Sequence, residues 1–245
     1  LKMRKFPYRK VDAFTSGKSM GNPAAYLLTG TLQLTESEML AIGQEHKGFV
    51  SEVVFCSASD LADLKLTYFS SECEVDFCGH GTVATMYDLI RSNDKLRSKS
   101  EITVETNKKG LLTVYNRLDA DDAVYITAPK AQWLQIPVSR NAIADVLGLS
   151  SKAISSDLPL GFIDAGLRTL IVPVGEFDTE VSVYPGLERV KEFCLRNGVD
   201  IILIFCMQTS SPDCCAHTRV FAAKFGYLED PATGSGNSAF ANYML

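Results

Sequence analysis

Short apolar runs dominate the chain, and most of them indicate β-strands. Val, Ile, Tyr, Phe and Thr are concentrated in runs of five to eight residues that Gly, Asn, Asp and Ser interrupt. The Lys108-Lys109-Gly110 segment separates two such runs and predicts a hairpin. The predicted strands span residues 8–14, 24–28, 51–57, 64–70, 101–106, 111–115, 123–127, 169–174, 200–207 and 215–221.

Helices are fewer and have clear end signals. Thr35 and Glu38 form a capping-box pattern, which predicts a helix from there to about residue 46. Gly148 and Gly198 mark the ends of helices predicted over residues 140–147 and 187–197, since a left-handed glycine commonly terminates a helix. Further helices are predicted over 81–90 and 235–244. Isolated helices among antiparallel-looking strands favour an α+β fold over a repeated βαβ sheet.

Composition and charge exclude several classes of partner. Hydrophobic residues make up 46% of the 245-residue chain and charged residues 22%, which is typical of a soluble globular protein. With a formal net charge of −5, the chain lacks the basic character of a nucleic-acid binder. No apolar run approaches the roughly 20 residues that a membrane-spanning helix needs. The sequence therefore predicts neither a nucleic-acid partner nor a membrane partner.

The seven cysteines are interpreted as reduced thiols of a cytoplasmic protein, because their number is odd and a chain of this length does not need disulfide bonds to be stable. A zinc site is the alternative interpretation. Cys73, Cys78 and His80 lie close together in sequence, but paired C-x-x-C elements are missing. The adjacent Cys214 and Cys215 are poorly placed for tetrahedral ligation. The sequence therefore predicts no metal site.

A strand–loop–turn–helix unit occurs twice in the chain. Phe69 ends one apolar run 12 residues before Gly81, and Phe221 ends another 13 residues before Gly234. This repetition suggests two similar halves that meet near residues 126–140. Helix N-termini attract carboxylate or phosphate groups, and glycine lets a ligand approach the backbone closely. For each turn taken alone, an ordinary helix cap is the preferred interpretation.

Three acidic or basic side chains are candidates for chemistry. Glu52 precedes a strongly apolar strand, where a carboxylate is costly unless it is hydrogen-bonded, paired or functional. Such a carboxylate suits general acid–base catalysis, although a solvent-facing Glu52 at a strand end fits the pattern equally well. Asp230, taken alone, would be a turn residue, and His80 a surface or capping residue.

Four separated blocks of the sequence resemble the phenazine-biosynthesis PhzF-like family. They occur in the family's order between residues 11 and 236, and the last block, Glu229 to Gly236, is the most specific. The matching segments are Val11-Asp12-Ala13-Phe14-Thr15 with Gly21-Asn22-Pro23-Ala24-Ala25; Ser51-Glu52 with Phe55; Phe69-Ser70-Ser71, Glu74 and Cys78-Gly79-His80-Gly81-Thr82; and Arg219, Phe221 and Glu229-Asp230-Pro231-Ala232-Thr233-Gly234-Ser235-Gly236.

The resemblance implies a diaminopimelate-epimerase-like α+β fold with two similar halves, residues 1–128 and 129–245. Each half would be a β-barrel-like sheet around a central helix, with a cleft between the halves and usually a homodimer. The family continues beyond the position that corresponds to Leu245, so the second half is expected to be truncated. Ser71, Val53 and Gly81 depart from the residues usual in the family.

The resemblance also implies an isomerase of a small carboxylate that needs no cofactor and no metal. Its acid–base residue would be Glu52, supported by His80 and Asp230. The substrate would be held by the two glycine-containing turns, at residues Gly79, Gly81, Thr233, Gly234 and Ser235.

Two other functions remain open. An amino-acid epimerase or racemase of the same fold would use one thiol in each half. Cys78 stands close to the first position, but the second turn has Ala232-Thr233 and no cysteine. A non-catalytic carboxylate-binding protein would keep the turns, although Glu52, His80 and Asp230 are all present at positions that match the family. Replacing Glu52 separates the binding protein from the isomerase.

Overall fold

The computed structural model describes residues 4–16 and 20–245, and the chain divides into two compact units. The first unit is Leu1–Pro129 and the second is Lys130–Leu245. No helix among the described residues is long and apolar enough to cross a membrane.

The first unit is built on one mixed sheet. The strands run in the order β1-β2-β3-β4-β6-β7-β8, and β5 pairs with β4 beside this path. The β2–β3 and β4–β6 pairs are parallel, and the other pairs are antiparallel. The strands are β1 (Tyr8–Ala13), β2 (Asn22–Gly30), β3 (Val53–Ser57), β4 (Leu64–Phe69), β5 (Glu74–Val75), β6 (Glu101–Thr106), β7 (Gly110–Arg117) and β8 (Ala123–Ile126), and the helices are α1 (Glu36–Glu45), α2 (Gly79–Ser92), α3 (Asp94–Arg97) and α4 (Leu118–Asp121).

Helix α1 covers one face of this sheet. The predicted capping box is present: the Thr35 hydroxyl accepts a hydrogen bond from the Glu38 amide, and the Glu38 carboxylate accepts one from the Thr35 amide. Apolar side chains of α1, including Met39, pack on Phe55 and Phe69 of the sheet. The helix therefore begins where the sequence predicted, and its apolar face is partly buried.

Helix α2 lies on the other face and contacts β1, β2, β3 and β8. Because β1 and β8 are the two ends of the sheet order, one helix can contact both only if the sheet curls around it. Most residues along α2 are buried, as expected of a central helix. The first unit thus has the predicted combination of a barrel-like sheet and a central helix.

The second unit has a six-stranded sheet in the order β14-β13-β12-β11-β10-β9. Its β11–β12 pair is parallel and its other pairs are antiparallel. The strands are β9 (Gln132–Trp133), β10 (Gly161–Asp164), β11 (Arg168–Pro173), β12 (Ile201–Cys206), β13 (His217–Phe221) and β14 (Glu229–Asp230); the helices are α5 (Arg140–Leu147), α6 (Phe177–Ser182), α7 (Leu187–Asn197) and α8 (Gly234–Tyr243), and Ala223–Phe225 forms a 3-10 turn.

Strand β12 is buried along its whole length, so it carries apolar residues on both faces. Ile202 and Ile204 point to the cluster that includes α5 and α7, and the ring of Phe205 packs in a tilted arrangement against Phe240 of α8, with the centroids 4.7 Å apart. Helices α5 and α7 end at Gly148 and Gly198, which have φ values of 70° and 65°. The two predicted glycine stops are confirmed.

The differences from the predicted elements are local. Helix α2 begins at Gly79 rather than at residue 81, and β3 begins at Val53, so Glu52 precedes the strand. The strands β5, β9, β10 and β14 were not predicted, because two to four residues are too few to show an alternating pattern. The short helices α3, α4 and α6 were not predicted for the same reason. The hairpin joining β6 to β7 is confirmed, with Thr106 opposite Gly110.

Candidate active site

Glu52 is positioned by the entry into β3. Val53 and Phe55 belong to the cluster under α1, so the alternation of a strand turns Val54 toward α2. Glu52 lies two residues before Val54, so its side chain points to the same face, and it contacts residues at the start of α2. Its side chain is only 3% exposed. The acid is therefore buried on the face of the sheet that holds the central helix.

The start of α2 supplies the partners of this acid. Cys78 is the residue that caps the helix, and its sulfur accepts a hydrogen bond from the Gly81 amide at 3.3 Å. His80 lies in the first turn and is 3% exposed. The sequence allowed a surface or capping role for His80, and its burial corrects that interpretation.

Glu52, Cys78 and His80 converge in a small cluster. The Cys78 thiol lies 3.7 Å from Oε2 of Glu52 as a donor and 3.5 Å from Nδ1 of His80. Nε2 of His80 lies 3.5 Å from the same Glu52 oxygen. That distance meets an ion-pair criterion, but among the described residues Nε2 makes no hydrogen bond of acceptable geometry. The imidazole and the carboxylate are therefore close without being aligned.

The Cys78 thiol carries one hydrogen, so it can donate to only one of its two neighbours, Glu52 or His80. If that hydrogen points to Glu52, Nδ1 of His80 must carry a proton to donate to the sulfur. Nε2 then presents a lone pair in the neutral imidazole. A hydrogen-bonded path between Glu52 and His80 would therefore run through the Cys78 thiol.

Gly81 allows the close packing around this cluster. A Cβ atom at Gly81 would lie 2.8 Å from Sγ of Cys78 and 2.9 Å from Cγ2 of Val54. Both distances are shorter than ordinary carbon contacts, so a side chain here would displace the thiol or the strand. Glycine at this turn therefore preserves the position of Cys78.

The second unit holds the other predicted site residues. Asp230 lies in β14 opposite Val220, and Thr233 donates a hydrogen bond from its hydroxyl to Oδ2 of Asp230 at 2.5 Å. Helix α8 begins at Gly234, and Ser235 is buried in its first turn. The acid and the helix start are thus joined by one charge-assisted hydrogen bond.

A model of a known protein family matches nearly the whole chain. The family is described as phenazine biosynthesis-like protein, and the match covers residues 11–245. The chain belongs to this PhzF family. The resemblance noted in the sequence is confirmed.

Known proteins agree with this membership. An uncharacterized isomerase of Bacillus subtilis, YfhB, is 33% identical over 99% of this chain and 82% of its own length. The crystal structure of a PhzF-family phenazine biosynthesis protein of Bacillus anthracis is 30% identical, with a TM-score of 0.78 over 97% of this chain and 80% of that one. A probable proline racemase of Agrobacterium radiobacter has a TM-score of 0.67 at 13% identity, covers 97% of this chain and 76% of that chain, and shows the shared fold alone. The predicted epimerase-like fold is confirmed.

In this PhzF-family chain the predicted site residues fall into two groups. Glu52, Gly79, His80 and Gly81 lie together in the first unit. The second group consists of Asp230, Thr233, Gly234 and Ser235 at the start of α8.

Cys78 was considered from the sequence only as an epimerase thiol or a zinc ligand, and it had no role in the predicted isomerase site. Its position before Gly79 was visible, but its contact with Glu52, 26 positions earlier, depends on the curled sheet. Residues two apart in an extended segment point to the same face, so Glu52 and Val54 should both face the helix that covers this strand. Cys78 caps that helix, and this relationship could have indicated its contact with Glu52.

Proposed function

We propose that this PhzF-family chain is an isomerase that moves a proton on a small carboxylate substrate, with Glu52 as the general acid–base and no bound cofactor. The observation that carries the proposal is a buried carboxylate beside an imidazole and a thiol at the start of the central helix. The name isomerase given to the relative in B. subtilis agrees with this reaction class.

Glu52 would take a proton from an acidic carbon of the substrate and return it to another carbon. One carboxyl group can do both, because it becomes an acid after it has acted as a base. General acid–base catalysis of this kind contributes about 10²–10⁴-fold in rate. The remaining acceleration would come from holding the acidic carbon against Oε1 or Oε2 in a fixed geometry.

His80 and Cys78 would control the proton on Glu52. The thiol donates toward Oε2 of Glu52, which stabilises the ionised carboxylate before the reaction. Nε2 of His80, 3.5 Å from the same oxygen, would relay a proton or orient the substrate. Both residues act at Glu52, so their loss should slow proton transfer more than binding.

Each helix start, taken by itself, would attract a carboxylate group. A helix N-terminus carries unpaired amides and partial positive charge, and the first turn of α2 contains Gly79 and Gly81. We propose that the start of α8, with Gly234 and Ser235, likewise attracts a carboxylate. The Thr233 hydroxyl already donates to Asp230, so its proton serves the turn rather than a ligand.

The decisive experiment is solvent deuterium incorporation into a panel of small cyclic and unsaturated carboxylates. Wild type is compared with Glu52→Gln, which keeps the shape of the side chain but cannot accept a proton. Glu45→Gln, at the exposed end of α1, is the matched control. Label in one compound with wild type and Glu45→Gln, but not with Glu52→Gln, is the expected result.

Three other results would point elsewhere. Equal labelling by wild type and Glu52→Gln would remove Glu52 from the role of base. Binding of a carboxylate without labelling by either protein would favour a non-catalytic binding protein. Label confined to the carbon that lost the proton, with inverted configuration, would favour an epimerase.

A homodimer is a further part of the proposal and rests on the family resemblance. Light scattering coupled to size-exclusion chromatography measures the assembly directly, and a mass of one chain would contradict it.

A further inference from the structure

We propose that Glu52, Cys78 and His80 form a binding site for a zinc-class divalent ion, and that an ion bound there switches the enzyme off. The second half of this statement rests on the proposed function of Glu52 as the base, whereas the first half does not. Cys73, Cys78 and His80 lie close together in the sequence, but their spacing predicts no metal site. In the fold Glu52, rather than Cys73, completes the group of three.

The geometry of the three side chains fits a tetrahedral ion. Their ligand atoms all lie within 4.8 Å of one another. Sγ of Cys78 and Nε2 of His80 lie 3.7 Å and 3.5 Å from Oε2 of Glu52. Ligands about 2.0–2.3 Å from a tetrahedral zinc lie roughly 3.3–3.6 Å apart. Because it is Nδ1 of His80 that lies 3.5 Å from the Cys78 sulfur, the imidazole would have to turn for Nε2, Sγ and Oε2 to reach one ion together.

The chemistry of the donors selects the class of ion. One thiolate, one imidazole and one carboxylate are ligands that zinc accepts, whereas magnesium and calcium prefer oxygen alone. Three protein ligands leave a fourth position for water or a substrate group. The donor set thus favours zinc or a similar soft ion.

Burial gives the site a reason to accept a cation. Glu52, Cys78 and His80 are each 3–4% exposed, and Nε2 of His80 makes no hydrogen bond within the described part of the chain. A buried polar nitrogen without a hydrogen bond is costly, and a metal bond would satisfy it. Binding would exchange the thiol proton of Cys78 for the ion, form a sulfur–zinc bond and release the proton to solvent.

An ion bound by Oε2 would compete with the proposed catalytic role of Glu52. A carboxylate oxygen that donates its lone pair to zinc is a weaker proton acceptor, and the occupied space would displace the acidic carbon of the substrate. The expected effect is loss of deuterium incorporation when zinc is added, restored by a chelator.

The binding experiment uses the full chain, reduced and stripped of metal, titrated with Zn²⁺ against a chromophoric chelator. The exposed Cys214 and Cys215 could bind zinc independently, so both are replaced by Ser in every protein compared. Onto this background are placed Cys78→Ser, Glu52→Gln and the matched control Cys73→Ser. Circular dichroism verifies that each variant is folded.

We expect one zinc ion per chain in the background protein and in Cys73→Ser. Losing a group that only hydrogen-bonds to a metal ligand weakens metal affinity about 10–100-fold. Cys78 would bind the ion directly, so Cys78→Ser should weaken zinc affinity at least about 100-fold. Glu52→Gln should weaken it as well, which covers the case in which Cys78→Ser does not fold. With Co²⁺ in place of zinc, a thiolate-to-cobalt absorption band should appear in the background protein and vanish in Cys78→Ser.

The proposal is overturned if the background protein binds no zinc, or if folded Cys78→Ser and Glu52→Gln bind it as tightly as the background protein does. Its inhibitory half is overturned if zinc binds while Glu52-dependent exchange continues unchanged. Failure of the proposed function gives a different pattern, in which Glu52→Gln exchanges deuterium like wild type while zinc binding still depends on Cys78.

Discussion

The hydroxyl oxygens of Tyr68 and Thr82 lie 2.7 Å apart, joining strand β4 to the first turn of α2. The Thr82 hydroxyl also donates to the carbonyl oxygen of Cys78 at 2.7 Å. Because Thr82 has a single hydroxyl proton, Tyr68 must be the donor in the contact between the two hydroxyls. Tyr68 is fully buried, and burial raises the pKa of its phenol, so it remains a donor across the physiological range.

Replacing Tyr68 with Phe should therefore lower the free energy of unfolding by about 0.5–1.5 kcal/mol, the usual net contribution of one hydrogen bond. Urea denaturation measures this difference. Tyr115→Phe, at a tyrosine that is 40% exposed, is the control and should leave stability unchanged. Equal stability of Tyr68→Phe and wild type would show that the Tyr68–Thr82 contact contributes nothing.

The regular elements could be predicted because their signals are local. Thr35 and Glu38 are three residues apart, and Gly148 follows its helix directly. The contact between Cys78 and Glu52 could not be predicted from pattern, since it joins residues 26 apart through the packing of α2 on β3. Likewise, the sequence alone gives no reason for Thr233 to bond Asp230 rather than a ligand.

Asp200 should make the second unit sensitive to acid. Burial raises the pKa of this carboxyl, but hydrogen bonds from Arg168 and Lys224 outweigh burial and hold the pKa below the ordinary value of 3.8. The Arg168 guanidinium binds Asp200 through two nitrogens, at 2.9 Å and 3.1 Å. A depressed acid pKa stabilises the fold above the unfolded value, and this stabilisation is lost as the pH falls through the folded pKa.

Asp200→Asn should consequently lose about 2–3 kcal/mol of stability at neutral pH, because it leaves Arg168 and Lys224 without their charged partner. Below the ordinary Asp pKa the difference between Asp200→Asn and wild type should shrink. Urea unfolding at neutral and at acidic pH tests both statements, with the exposed Asp213→Asn as control. A difference that does not change with pH would exclude Asp200 as the titrating group.

Gly43 should not tolerate a side chain, although it lies within helix α1. A Cβ atom there would lie 2.4 Å from the backbone oxygen of Ser70, which cannot move without shifting the end of β4. Alanine gains up to about 1 kcal/mol in helix propensity, and overpacking costs about 1–3 kcal/mol. Because the clash is with backbone, the steric cost should dominate.

Gly43→Ala is therefore expected to lower the melting temperature and the urea midpoint. The matched control is Gly175→Ala, where the nearest atom to the new Cβ, the oxygen of Ala153, lies 3.8 Å away. This control should melt like wild type. A Gly43→Ala variant more stable than wild type would show that α1 can move away from β4 at little cost.

The bond from Thr233 to Asp230 separates a role in the turn from a role in binding. Thr233→Val removes the hydroxyl and nearly preserves the shape, so Asp230 loses a short donor in a buried position. Hydrogen bonds to charged groups contribute about 1.5–3 kcal/mol, and a stability loss of that size is expected in urea. Thr233→Ser keeps the hydroxyl and should restore most of it.

If the turn positions the groups that bind the substrate, Thr233→Val should also reduce deuterium incorporation, and Thr233→Ser should recover it in parallel with stability. If Thr233 instead donates directly to a ligand, Thr233→Val would weaken substrate binding while the urea midpoint stayed at the wild-type value. The second pattern would contradict the hydrogen bond to Asp230 as the main role of this hydroxyl.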